Sequence, residues 1–312
     1  MAITQNNMLT TQRLPHPINN VYIAEFLRRS MGSMPHNMFA KPAKIGRNQG
    51  DRASWMRWDN PTADITPIQE GTDPTPSQPS RTTISVQVKE YSALIKPSTW
   101  LDMTGYSQDA LERVQWLADK MAITKDTLAR NVLVGGASTI TCSNGDPTAT
   151  LLNETDLDTA ITRLRTQNAI KLTKMLQAGV NVGTSPLSSA FVCFAHEDLR
   201  RDIKNIPGFK AVKDYSDPKD AFPDEYGSAP DEVRWILTTN GYLSGSNYSS
   251  ILIADQAYGS VSIDGASNPL IYKSPQEAGS LTDAWSSLAY RFNDAIRILN
   301  DNYLCVIVST KS

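Results

Sequence analysis

The chain has 312 residues, 40% of them hydrophobic, and 30 lysines and arginines against 32 aspartates and glutamates give a net charge of -2. That length supplies a core for one large domain or two ordinary ones. The near-neutral balance speaks against a dedicated nucleic-acid binder, which carries a basic excess or a basic stripe.

In chain order, residues 1 to about 45 form a polar opening with one short amphipathic piece, NNVYIAEFLRRSMG. In it Val21, Ile23, Phe26 and Leu27 make a small apolar face that ends at Gly32. The piece has too little apolar content to stand alone, so it is either a frayed tail or an arm lying on a neighbour. DRASWMRW (51–58) alternates weakly. A proline-rich stretch with Pro67, Pro74, Pro76 and Pro79 follows, and then a clear strand from about Arg81 to Leu94 with Ile84, Val86 and Val88 on one side. The pattern predicts a hairpin with a long irregular tip, because prolines keep the tip out of a central sheet. Each arm of about 17 residues would reach about 55 Å if fully extended. A compact chain of this size has a radius of gyration of only about 20 Å, so such a hairpin would leave its own body.

The strongest helix signal runs from Ser107 to Val134. Ala110, Leu111, Val114, Leu117, Ala118, Met121, Leu128 and Val132 recur at spacings of three and four. Ser107 is placed to cap it, with Asp109 in the first turn and Gly135-Gly136 as the stop. A second helix is predicted over 156–178, with Leu157, Ala160, Ile161, Leu164, Leu172, Met175 and Leu176 as its stripe and Gly179 as its stop. Strands are predicted at 190–195, 233–239, 250–255, 258–263, 295–299 and 303–308. A short helix is expected at EDLRRDIKNI (197–206) and a turn-rich loop over 207–230. The fold class is α+β, with no internal repeat.

Chemistry is sparse. Cys142, Cys193 and Cys305 stand far apart in no paired pattern, which fits unbridged thiols in a reducing compartment. No signal-peptide pattern opens the chain and no apolar run nears the roughly 20 residues of a membrane span, so no membrane role is expected. His16, His36 and His196 are the only imidazoles, without HExxH or paired-cysteine spacing, so no metal site is expected. His196, Glu197 and Asp198 sit together at a strand exit, where α/β enzymes often place catalytic groups. The structural alternative is a polar helix start whose acids favour the helix N-terminus. VLVGGAS and QAGVNVGTS match no phosphate-binding loop, no GxSxG elbow occurs, and Arg28-Arg29 and Arg200-Arg201 are small basic doublets. No catalytic residue or cofactor is assigned.

The order of pieces resembles the tailed-phage major capsid proteins with the HK97 fold, specifically the N4 gp56-like family. The resemblance is carried by the EG before the hairpin tip, KEYSALIKPS, the helix ending in VGG, DLRRDIKNIPGFKAVKDYSDP, PDEYG to EVRWILTTN, ILIADQAYGSVSI and AIRILNDNYLCVIVS. Together these cover roughly residues 45 to 310, and the ordered series persuades more than any one motif. The resemblance implies an N-terminal arm (1–47), an extended hairpin loop (48–97) and a peripheral domain with the spine helix (98–150). An axial domain (151–280) and a return to the peripheral sheet (281–312) complete it. It implies a structural subunit of an icosahedral head, built from hexamers and pentamers around double-stranded DNA that it touches weakly and without sequence preference. Scaffolding, portal and decoration proteins are the expected partners, the virion is the expected location, and assembly is expected in the host cytoplasm. Trp55, Trp58, Glu70, Ile84, Val86, Val88, Phe26, Arg28 and Arg29 are expected at contacts between subunits. An encapsulin-like compartment shell is the alternative, and a cytosolic hydrolase using His196 a more distant one. No charge-rich cleaved leader and no lysine–asparagine crosslink pair are expected.

Overall fold

The computed structural model describes residues 34–312 apart from Gln69, Thr75, 105–108, Ala137, 143–147, 175–187, 216–220, 265–267 and Ser280. Val21, Ile23, Phe26, Leu27, Arg28, Arg29 and His16 of the opening lie outside these residues. So do the expected cap Ser107 and the late stripe residues Met175 and Leu176.

Among the described residues the first strand is β1 (Lys41–Ile45), followed by β2 (Arg52–Trp58), β3 (Arg81–Gln87) and β4 (Lys89–Ile95). Helices α1 (Thr99–Thr104) and α2 (Asp109–Gly136) follow, then β5 (Ser138–Thr141) and helix α3 (Glu154–Thr166). Strand β6 (Phe191–His196) leads into the short helix α4 (Arg200–Lys204). The remainder is sheet: β7 (Lys210–Ala211), β8 (Glu225–Ser228), β9 (Val233–Thr238), β10 (Tyr242–Ser244), β11 (Asn247–Ile253), β12 (Tyr258–Ile263), β13 (Asn268–Lys273), β14 (Ser287–Ile298) and β15 (Leu304–Ser309). The first sheet runs β1-β12-β14-β13, with β4 also paired to the long β14. The second runs β5-β15-β11-β6-β9-β8-β7, with β10 on β11. β2 and β3 pair only with each other.

Helix α2 joins the two sheets. Val114, Leu117, Ala118 and Met121 pack on Leu288, Tyr290 and Phe292 of β14. Further along, Ala129 and Leu133 pack among Val192, Phe194, Ile236 and Ile251 of the second sheet and Tyr258, Ile296 and Ile298 of the first. The three-and-four spacing of these residues puts them on one helical face, and burying each leucine side chain contributes roughly 2 kcal/mol. The second sheet is covered on both faces. Val192 and Phe194 of β6 meet α2, while Phe191, Cys193 and Ala195 meet Leu157, Ala160, Ile161 and Leu164 of α3. This double burial explains the unbroken apolar reading of β6. The three cysteines are free and buried. Among the described residues no helix is long and apolar enough to cross a membrane.

Several expectations are corrected. The second helix ends at Thr166 rather than near 178, because Asn168 takes the left-handed conformation (φ 55°) and turns the chain away. At its start, Asn153 accepts a hydrogen bond from the Asp156 amide at 2.8 Å. The strand expected over 81–94 is two strands that part at Val88: β3 pairs with β2, and β4 with β14. The strand expected at 295–299 starts at Ser287, and its alternation of Leu288, Tyr290 and Phe292 inward with Arg291 outward was already in the sequence. Gly136 falls in the last turn of α2, where it lies against the tip of the Ile298 side chain of β14. The 207–230 loop holds β7 and β8, pinned by a buried ion pair. Arg234 Nε donates to Glu225 Oε1 at 2.7 Å, Tyr215 donates its hydroxyl to the same oxygen, and the Phe222 amide donates to Oε2.

Residues 34–45, expected as the end of an N-terminal arm, belong to the body. β1 pairs in parallel with β12, and His36 is buried against Phe194 at 4.9 Å. The His36 amide donates to Asp126 Oδ1 and its Nδ1–H to Oδ2, both at 2.9 Å. Asn240 Nδ2 donates to the same Oδ2 at 2.7 Å, and the Tyr258 hydroxyl donates to the His36 carbonyl at 2.7 Å. One buried carboxylate of α2 therefore holds the N-terminal segment and the β9–β10 turn together. His36→Ala is expected to cost about 3 kcal/mol, since it strips a donor from a buried carboxylate. The urea midpoint of unfolding reads this, and an unchanged midpoint would mean that the pair carries no stability.

Candidate assembly surface

The β2–β3 hairpin is a two-stranded sheet that packs on the body through one face only. Its register sets Trp55 opposite Ile84, Ala53 opposite Val86 and Trp58 opposite Arg81. On its inner side Ala53, Trp55 and Val86 are half-buried and pack with Val88, Ile45 and Val261. Gly259 of β12 makes this seat possible: a Cβ there would lie 2.9 Å from Trp55 Cζ2 and 3.2 Å from the Lys41 carbonyl. Arg57 fixes the other side, donating from Nη1 to Asn300 Oδ1 at 2.6 Å and to the Leu299 carbonyl at 3.4 Å. Beside this seat an open groove of about 320 Å³ is bordered by Trp55, Trp58, Ile84, Ile170 and Leu299.

From Asp59 to Ser80 every described residue is exposed. The two ends are tied where the Ser80 hydroxyl donates to Asp59 Oδ2 at 2.5 Å. Glu70 sits at a turn completed by Gly71 in a left-handed conformation (φ 86°). Asp59, Asp64, Glu70 and Asp73 face no lysine or arginine within the segment, so the tip is acidic. It also exposes Ile65 (88%) and Ile68 (63%). These two isoleucines on a polar loop are covered by nothing among the described residues.

The expected contact residues thus divide. Val88, 9% exposed, is covered by its own chain, and Trp55 and Val86 turn toward the body beside it. Ile84 borders the groove, whereas Trp58 (60% exposed) and Glu70 are open to solvent. Phe26, Arg28 and Arg29 lie outside the described residues. Sequence reasoning missed α1, whose first turn is capped where the Leu101 amide donates to Ser98 Oγ at 3.2 Å. None of its residues is buried, and Trp100 and Met103 are each 75% exposed. Trp116 and Ile123, seven residues apart on one side of α2, are also exposed. Ser-Thr-Trp was the available signal, a hydroxyl cap ahead of an apolar cluster.

The His196 cluster is built as a helix start. His196 Nδ1 accepts the Asp198 amide at 3.1 Å, so the lone pair that a base would use is engaged in capping. Asp198 in turn accepts from the Tyr248 hydroxyl at 2.7 Å and from Lys311 Nζ at 3.3 Å. These bonds, Tyr248 first, hold its carboxyl below the usual range. Arg200 bonds Glu197 at 3.0 Å and stacks on Tyr226. Among the described residues no group of three or more His, Cys, Asp or Glu side chains is placed to hold a metal ion.

No protein-family model matches the chain. No curated protein matches its sequence. Solved structures do match its fold. The capsid of cyanophage P-SCSP1u is similar at a TM-score of 0.57 and 11% identity, over 90% of this chain and 89% of that one. The mature capsid of bacteriophage PhiM1 is similar at 0.57 and 10% identity, over 88% and 86%. The SrpI encapsulin complex from Synechococcus elongatus is similar at 0.53 and 10% identity, over 89% and 88%. The chain therefore has the mixed α/β fold of HK97-like capsid proteins, which encapsulins share.

Gly259→Ala should unseat Trp55, because the new methyl meets the indole on one side and backbone on the other. A loss of about 1–2 kcal/mol is expected, with faster hydrogen exchange confined to β2 and β3. Unchanged exchange there would show that Trp55 does not seat the hairpin.

Proposed function

We propose that this chain is the major capsid protein of a tailed phage, of the N4 gp56-like kind, assembling into the hexamers and pentamers of an icosahedral head. The observation that carries the reading is the exposed, isoleucine-bearing hairpin tip on a chain whose fold matches shell proteins over about nine-tenths of its length. Unpaired strands and apolar side chains on a projecting hairpin invite pairing with another chain unless one covers them. A subunit that always has neighbours turns this liability into its bond. Residues 48–97 then serve as the extended loop. Residues 98–150 and 281–312 serve as the peripheral domain, with α2 as its spine, and 151–280 as the axial domain. The clasping part of the arm is the stretch before His36.

Trp58, Glu70 and Ile84 are the proposed contacts of the loop, and Phe26, Arg28 and Arg29 those of the arm. The net charge of -2 suits a wall around packaged double-stranded DNA that grips no sequence. Scaffolding, portal and decoration proteins are proposed partners in a virion assembled in the host cytoplasm, with no catalysis. The likeness to the SrpI encapsulin favours a second reading, a cellular compartment shell. Particles purified with nuclease-protected double-stranded DNA support the head, and particles with protein cargo and no DNA support the compartment.

Deleting residues 62–80 joins Pro61 to Arg81 and leaves β2 and β3 linked by a short turn. The subunit is expected to keep its melting temperature within a few degrees, because every described residue of the removed segment is exposed, while particle yield falls at least tenfold. Particles of normal yield would overturn the role of the tip. His196→Ala should assemble normally, as expected for a cap rather than a catalytic base; a variant that assembled but lost a hydrolase activity of the native protein would revive that reading.

A further inference from the structure

The hairpin tip and helix α1 carry complementary chemistry, and neither is covered in the single chain. Between Asn60 and Ser80 the tip holds three carboxylates, Asp64, Glu70 and Asp73, with no lysine or arginine, and exposes Ile65 and Ile68. The spacing of the two isoleucines, with Pro67 between them, suits polyproline backbone. Its three residues per turn would put both on one side, about 9 Å apart. α1 presents Trp100 and Met103, three residues apart on one side of a helix about 9 Å long and each largely exposed. The two apolar pairs therefore match in scale.

Lysines flank this helix. Just before it the Lys96 ammonium stands 4.2 Å over the Trp285 ring, beside the Ser98–Trp285 bridge that leads into α1. Arg113 of α2 bonds Asp102 of α1 at 2.5 Å, and Trp116, Lys120 and Ile123 follow Arg113 on the same side of α2 at helical spacing. Lys120 stands 5.0 Å over Trp116. Both lysines are exposed, and among the described residues each rests on a tryptophan and on no carboxylate. An indole face attracts a cation without neutralising it, so both charges stay open to an incoming carboxylate. The groove beside Trp55 is a poorer receiver for an acidic segment. Asp59 and Asp255 line it, and its cations Lys41 and Arg57 are already bonded to Gln256 and Asn300.

We infer that α1 and the adjoining side of α2 receive the hairpin tip of a second copy of this chain. Ile65 and Ile68 of one copy cover Trp100 and Met103 of the next, and Lys96 and Lys120 meet the tip's carboxylates. The inference rests on the shell reading above and names the surface that its loop contacts. The apolar pairs hold the tip, and the charges decide which surface it chooses. Exposed ion pairs are individually weak. Every copy in a closed particle makes the same contact, however, so a small loss at each multiplies across the whole.

The test uses the full-length protein and reads particle yield. One variant carries Lys96→Glu with Lys120→Glu, and another carries Asp64→Lys, Glu70→Lys and Asp73→Lys. All five side chains are exposed, so each subunit is expected to keep its melting temperature while its yield falls at least tenfold. Combining both reversals in one chain is expected to return the yield to within threefold of native. Native yield from either reversal alone, or no recovery in the combination, overturns the inference and leaves the shell reading standing. A native chain that forms no particles overturns both. Ile68→Cys with Met103→Cys identifies the occupant, since the three native cysteines are buried. Oxidised particles are expected to run as a ladder of linked chains on a non-reducing gel. A link closed within one chain, or no link, overturns the inference.

Discussion

The structure depends on one helix serving two sheets. The first half of α2 lays Val114, Leu117 and Met121 on β14, and its second half passes Ala129 and Leu133 between the two sheets. The segment around His36 also meets both, through Phe194 of the second sheet and Tyr258 of the first, and it is itself held on α2 by Asp126. Everything else is fixed relative to that rod. Asp126, buried on its inner side, holds His36 and the β9–β10 turn, while Lys125 and Leu128 face the hairpin root. A continuous helix transmits position along its length, so a subunit built this way keeps its surfaces in a constant relation to one another.

The hairpin follows a different rule. Its root is specified by its own chain, through the Trp55 contact on Gly259 and the Arg57 bonds to Asn300. Its tip has no such specification: five prolines resist regular pairing, four carboxylates keep it soluble, and Ile65 and Ile68 find no core among the described residues. A seated root and an unsatisfied tip divide the labour as the proposed shell subunit requires. The apolar outer side of α1, with Trp100 and Met103, is a second surface left open in the single chain.

Legibility in the sequence followed the range of the interactions. The long helix was readable because its stripe repeats every three or four residues and is broken only by the terminal glycines. The hairpin was readable from alternation and proline. The end of α3 was misread because Leu172 and Met175 continue the helical spacing past Asn168, and a single left-handed residue outweighs them. The start of β14 was overlooked because Asp294, at an inward position, breaks the apolar series that Leu288, Tyr290 and Phe292 carry. His36 gave no signal, since its partner lies 90 residues away, and Asp294 looked like any surface carboxylate. The face of the hairpin was legible, but not what covers it. Val88 and Ile84 sit on one alternating face, yet Val88 is closed by Val261 of its own chain while Ile84 borders an open groove. The ordered series of segments pointed to the fold before any of these contacts was known.

The central claim is that the unsatisfied surfaces of one chain are completed by copies of itself. Electron microscopy of the purified native protein, paired with its mass distribution in solution, tests this most directly. The account predicts closed particles of many copies with five-fold and six-fold clusters of subunits. A protein that stays monomeric over all protein and salt concentrations tried, with its hairpin still folded, would contradict it.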